Sequence, residues 1–294
     1  MINFYDLKAK YSSLWQSVEI NPSTASIVKN VANTIYKNKN RYQKIQKHTD
    51  IPWFVIGAIH SLESSSSFKK HLHNGDSLSK RTVRVPRGRP KDPPNNGTRY
   101  TFEESAIDAL NLKRGILREL GGKLDSIEKI LHYCQAYNGF GYETGAGRRT
   151  TPPKRSPYLW SMTNQYQKGK YVSDGRFDEN AVSQQVGVAA SIKSLEENYG
   201  LDFNEGKTIP IENVTIKPQF SVIRKGDVGR LVSVLQYNLN LLADFSLSID
   251  GVFGPITEGA VIQFQRNQNL IVDGIVGRQV WGRLAEIQNS ANNA

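Results

Sequence analysis

One cysteine, Cys134, and two methionines are all the sulfur that this chain of 294 residues carries. A lone thiol closes no internal disulfide, and its neighbours Leu131 and Tyr133 point to a small buried side chain, so stability has to come from packing. No run approaches the ~20 consecutive apolar residues of a membrane span, and no membrane insertion is expected. The opening MINFYDLKAKYSSLWQSVEI has neither a basic n-region nor an apolar core, so synthesis in the cytoplasm without a secretory signal is expected. Biased tracts are missing as well: 38% hydrophobic and 22% charged residues describe an ordinary folded protein, not a disordered one. Negative charge is comparatively scarce. The net +11 arises in residues 1–200, where 30 Lys and Arg face 18 Asp and Glu, while residues 221–294 hold six of each. Such a field favours a polyanionic partner, either nucleic acid or a bacterial envelope.

The length exceeds the ~100–150 residues of a common single domain, so two folded units are expected. Residues 1–48 read as helical, with Ile27, Val28, Val31 and Ile35 as a buried stripe. PWFVIGAIHSLE follows, a core helix opened by Pro52 and ending at Glu63. From Ser64 to Tyr100 the helical period disappears. Asn74-Gly75 and the alternating RTVRV predict a small β-hairpin region followed by a proline-rich loop. Helix resumes over 101–135, opened by a Thr101/Glu104 capping box; TGAGRRTTPPKRSP is a loop, and 180–199 a last helix. Residues 201–220, with Pro210 and Pro218, are expected to be a linker. Beyond them an internal repeat stands out: IDGVFGPITEGAVIQFQ at 249–265 and VDGIVGRQVWGRLAEIQ at 272–288. With the helix at 228–242 the repeats complete a compact three-helix unit. The fold class is α+β, with domains at 1–200 and 221–288.

Glu63 is the leading chemical candidate. A carboxyl at the end of an apolar helix, followed by four serines, sits where a core meets a cleft, and partial burial would keep it protonated near neutral pH, as a glycosidic general acid requires. An ordinary solvated helix-end Glu has the same local sequence. Glu103, Glu104 and Asp108 are explained by capping, the helix dipole and a polar helix face. His60, His71 and His73 fit no zinc spacing, and neither a phosphate loop nor a nucleophile motif occurs, so no metal and no cofactor are expected.

GAIHSLESSSSF resembles the helix of goose-type lysozymes and lytic transglycosylases in which a Glu followed by Ser donates the proton to the glycosidic oxygen. CQAYNGFGY at 134–142 resembles the Ala-Tyr-Asn-x-Gly segment of the same families, which implies that Tyr137, Asn138 and Tyr142 line a sugar cleft. A further resemblance, to phage-type muramidases, implies roles for Asp76 and Thr82. Twelve residues separate Glu63 from Asp76 and five separate Asp76 from Thr82, against eight and five in that family. Asp76 would then act as base or electrostatic stabiliser, and Thr82 would fix a water. Finally, KGDVGRLVSVLQYNLN, DGVFGPITEGAVIQFQ and DGIVGRQVWGRL together resemble the common peptidoglycan-binding domain. These resemblances imply a monomeric endolysin-like muramidase acting on bacterial peptidoglycan, with no nucleic-acid partner. A lytic transglycosylase and a non-catalytic wall-binding protein remain the alternatives.

Overall fold

The computed structural model describes residues 2–145, 154–173, 175–202, 207–208, 214–218 and 220–292. It divides into two compact units, one chiefly of residues 1–194 and the other of residues 195–202 and 207–294.

The first unit begins with α1 (Phe4–Gln16), whose Asn3 cap and Asp6 bond reciprocally as a capping box. Then come α2 (Ala25–Lys37), α3 (Lys39–Thr49) and α4 (Trp53–Ser64). Pro52 occupies the N-cap of α4, and every residue from Trp53 to His60 is buried. A helix apolar on all sides has to run through the middle of a unit. Accordingly α4 packs against α2, α3 and α7 (Ile127–Asn138). Its end is fixed by Ser65, in the left-handed region at φ 53, whose N–H bonds the carbonyl of His60. Between α4 and α7 lie α5 (Phe102–Leu112), opened by the expected Thr101/Glu104 capping box, and α6 (Arg114–Glu119). The short helices α8 (Gly141–Thr144) and α9 (Pro157–Trp160), the hairpin β1 (Lys170–Ser173) and β2 (Arg176–Asp178), and α10 (Val188–Tyr199), whose residues from Leu195 on belong to the second unit, follow.

This is the expected mostly helical α+β class, with several local differences. On α2 the buried stripe is Val28, Ala32 and Ile35, while Ile27 is 48% exposed. Positions four and three apart share one helix face, and Ile27 lies ~100° round from Val28. Among the described residues RTVRV forms no strand; the only pairing near it is an isolated bridge of Lys70 with Ser77. Val83 and Val85 are exposed, so their alternation buries no face, and Pro86 and Pro90 supply no N–H to a ladder. The hairpin of this unit begins only at Lys170, where Tyr171 and Phe177 pack edge-on to Tyr142. The last helix starts at Val188 instead of 180. In the expected loop at 144–157, residues 146–153 lie outside the described residues.

The second unit packs α11 (Arg230–Ala243), α12 (Pro255–Asn267) and α13 (Arg278–Asn292) around Leu235, Leu239, Phe253, Phe264 and Trp281. Its repeats share one device. Buried Gln236 donates to Asp250 Oδ1 (2.8 Å) and to the Val252 carbonyl (3.1 Å), and accepts from the Gly251 N–H (2.9 Å). Gln265 does the same for Asp273, Ile275 and Gly274 at 2.8, 3.0 and 2.9 Å. Gly251 and Gly274 sit at φ 71 and 70, which is why each turn reads Asp-Gly. Gln288 holds a segment from the expected linker, donating to the Val214 carbonyl (3.3 Å) and accepting from the Ile216 N–H (2.9 Å). Val214, Ile216 and Phe220 join the helical core, so the folded unit reaches N-terminal of 221. Leu201–Asp202 and Lys207–Thr208 also pair, as the short antiparallel strands β3 and β4.

The tightest approach in the first unit is at Gly57 of α4, where an added Cβ would lie 3.2 Å from the Tyr42 ring and closer still to Ile35. Gly57→Ala should lower unfolding free energy by about 1–3 kcal/mol through overpacking. Denaturant melts of the two proteins check this; an unchanged midpoint would contradict the α2–α4 contact.

Candidate active site

Glu63 occupies the last turn of α4, half-buried at the end of the apolar helix. Burial raises the pKa of its carboxyl, opposed by a hydrogen bond from Tyr158 and by the Lys113 charge, and the net shift is upward. Tyr158 of α9 donates its hydroxyl to Glu63 Oε1 at 3.0 Å. Burial and the Glu63 charge push the phenols of Tyr158 and Tyr137 well above the ordinary range, so both are neutral donors at physiological pH. Lys113 lies over the Tyr137 ring, 5.5 Å from its centroid. Gln185 donates to the Leu62 carbonyl (2.7 Å), satisfying one of the carbonyls that a helix end leaves open. A carboxyl inclined to hold its proton, with a phenol fixing one oxygen, is equipped for general-acid chemistry.

Beside it opens a cleft of about 570 Å³ lined by Asn138, Tyr142, Tyr158, Tyr171, Ser183 and Gln185 among others. Asn138 is exposed at the end of α7, where Gly139 takes φ 100 to turn the chain. Tyr142 is only 7% exposed, and its hydroxyl accepts from the Tyr171 N–H at 3.1 Å. It thereby anchors the β1–β2 hairpin that forms one wall.

Tyr137, expected to line the sugar cleft, is not among its lining residues; nor are Asp76 and Thr82, and Glu63 meets the cleft only through Tyr158. The Asp76 loop does reach the end of α4: a Cβ on Gly75 would stand 3.3 Å from the Glu63 carbonyl oxygen. The Asp76 carboxylate, however, is fully engaged. It accepts from Arg84 Nε (2.6 Å) and from the N–H groups of Val83 (2.9 Å) and Arg84 (3.0 Å). Its modest burial would raise the pKa, but these bonds and the Arg84 charge hold it down at about 2. A carboxylate of that acidity is a weak base and a permanent negative charge. Thr82 is buried; its hydroxyl donates to the Pro86 carbonyl and accepts from the Arg89 N–H (2.9 Å), closing the 82–89 loop.

A polar cluster fastens this loop region to α5. Arg89 binds Asp108 through both nitrogens (2.9 and 2.6 Å), His73 Nε2 lies 2.7 Å from Asp108 Oδ2, and Ser105 Oγ lies 2.8 Å from His71 Nδ1 and 3.3 Å from His73 Nδ1. Ser105, His73 and Asp108 thus stand in nucleophile–base–acid order. Ser105 and His71 are completely buried, so no substrate reaches them, and the cluster is structural. Among the described residues no three His, Cys, Asp or Glu side chains are placed to hold a metal. Nor is any described helix long and apolar enough to cross a membrane.

The second unit supplies the observation on which comparison with known proteins turns. Residues 228–284 match the family described as putative peptidoglycan binding domain. An uncharacterized protein in the bpoA1 3' region of Kitasatospora aureofaciens is 42% identical over 64 residues, 21% of this chain and 54% of that protein. The chain thus spans about half the length of this curated relative. A crystal structure of a peptidoglycan-binding protein from Clostridioides difficile, in complex with glutamine hydroxamate, is 40% identical. It covers 24% of this chain and 43% of its own, with a TM-score of 0.22. The peptidoglycan-binding domain therefore falls on α11 to α13 and the two Asp-Gly turns, as the repeat implied.

Sequence reasoning missed Tyr158. The hydroxyl bond to Glu63 favours the ionised carboxylate, so Tyr158→Phe should raise the Glu63 pKa further. If Glu63 acts as an acid, the alkaline limb of the pH–rate profile should move to higher pH in Tyr158→Phe. An unmoved limb would separate Tyr158 from the ionisation that governs turnover.

Proposed function

We propose that the protein hydrolyses the glycan strands of bacterial peptidoglycan as an N-acetylmuramoyl hydrolase, with its C-terminal domain attaching it to the wall. The observation that carries this reading is the Glu63 carboxyl, its pKa raised by burial, bonded by neutral Tyr158 beside a cleft, in a chain that also has a peptidoglycan-binding domain. Glu63 gives its proton to the glycosidic oxygen as the C1–O bond breaks. The oxocarbenium-like centre that develops at C1 is positive, and Asp76, paired with Arg84 and outside the cleft lining, can act on it only at a distance. Water then adds to C1 and returns a proton to the Glu63 carboxylate.

A second reading has its own support. With Asp76 locked to Arg84 and the Thr82 hydroxyl committed to its loop, neither is free to activate water. A lytic transglycosylase needs no water: a hydroxyl of the muramyl residue adds to C1 instead, and Glu63 remains the acid. Mass spectrometry of products from purified peptidoglycan separates the readings. Reducing ends mean hydrolysis, anhydromuramic ends mean transglycosylation, and intact strands mean a wall-binding protein.

Glu63→Gln keeps the shape of the side chain and removes its acidic proton, so turnover should fall at least ~10²-fold. The same full-length variant should still sediment with sacculi as the wild type does, because attachment belongs to the other unit. Near wild-type turnover by folded Glu63→Gln would end the glycosidase reading. The responses of Asp76→Asn and Thr82→Ala distinguish its two forms. Because both side chains also hold the 76–89 loop, turnover is measured well below each variant's unfolding midpoint: there Asp76→Asn should cut turnover about tenfold or more in a hydrolase, and neither substitution should change it much in a transglycosylase.

A further inference from the structure

We propose that the cleft beside Glu63 is a subsite for the carboxylate-bearing substituent on O3 of muramic acid, and that Lys170 reads that carboxylate. The proposal rests on the glycosidase reading above and names the part of the substrate that this site selects. Three features carry it. The cleft is joined to the acid through Tyr158, which lines it and also bonds Glu63. Its volume of about 570 Å³ lies within the ~300–1,000 Å³ that small-molecule sites occupy. Its hairpin wall combines an aromatic surface with a cation, Lys170, the charged side chain among the described lining residues. Tyr171 is fixed there by donating its hydroxyl to the Gly141 carbonyl (3.1 Å) and by ring contacts to Tyr142 and Phe177.

Lys170, the first residue of β1, lines the same cleft with its stem half-buried. Its partner across the ladder is Asp178, which would ordinarily neutralise it. Asp178 Oδ1 instead accepts from the N–H groups of Asn180 (2.8 Å) and Ala181 (3.2 Å), and no described residue forms an ion pair with Lys170. An ammonium beside aromatic rings and amide side chains suits a ligand that is mostly sugar but carries one anionic arm. The two sugars of peptidoglycan differ in just this respect: N-acetylglucosamine is neutral, and muramic acid bears a lactyl ether. Its carboxylate is free on stripped strands; on intact strands it is tied up in the peptide stem, which carries carboxylates of its own.

The test measures KM and kcat of wild type, Lys170→Ala and Lys170→Met on three substrates. These are stripped strands with the free lactyl carboxylate, the same strands with that carboxylate converted to a neutral amide, and stem-bearing strands. Both variants should raise KM on stripped strands about threefold to tenfold at unchanged kcat, with no change on amidated strands. A rise confined to stem-bearing strands would assign the recognised carboxylate to the peptide. Equal effects on charged and neutral strands, or no effect on any, would overturn the subsite while leaving the glycosidase reading intact. Wild-type protein that cleaves none of the three would overturn that reading, and the subsite with it.

Discussion

The burial of α4 on every side is the constraint from which the first unit is built. A helix that presents Trp53, Phe54, Val55, Ile56 and Ile59 in succession has no face to offer water, so α2, α3 and α7 surround it. The same demand shapes the histidine in its interior. His60 lies between Phe68 and Phe102 with Tyr42 at 2.9 Å from Nδ1, and desolvation lowers its pKa to about 4, so it stays neutral. Where the burial stops, three residues later, the chain places Glu63. Its raised pKa follows from where the core ends.

Charge is handled differently in the 71–91 region, which has little apolar surface to hold it. Val83 and Val85 face solvent, and the backbone is fixed by ionic and polar side chains instead: Asp76 on Arg84, Arg89 on Asp108, Thr82 across its own loop. Such fastening orients a loop without a core beneath it, provided each buried polar group finds its partner. It also consumes the groups. Asp76 and Thr82, which spacing marks out as chemical, spend their hydrogen-bonding capacity on structure.

What could be read from the sequence follows from the range of the interactions concerned. Periodicity and capping are local, so α4, the Thr101 cap, the three C-terminal helices and the Asp-Gly turns were all legible. The place of Glu63 at the end of a buried helix was legible because its signal is the end of a period. Tyr158 was not, because its meaning lies in a contact across 95 residues and its own surroundings, SPYLW, read only as a helix start. RTVRV misled because alternation states that a face could be buried, and nothing local states that a partner exists. Tyr142 was expected to meet substrate directly; it lies in the cleft wall but is buried and holds the hairpin through its hydroxyl. The Gln288 contact shows the same limit at the domain border, since prolines mark 201–220 as irregular and cannot reveal that Val214 and Ile216 are gripped from 72 residues downstream or more.

The three glutamines make the second unit cyclic in its logic. Gln236 on α11 holds the turn leading into α12, Gln265 on α12 holds the turn leading into α13, and Gln288 on α13 holds the segment that precedes α11. The helical part of this unit, from Val214 to Gln288, therefore begins and ends at nearly one point, with Gln288 Nε2 at 3.3 Å from the Val214 carbonyl. A unit whose ends meet imposes no span on whatever flanks it. It can be carried at either end of another chain, inserted within a loop, or circularly permuted by joining its ends and opening one of the Asp-Gly turns.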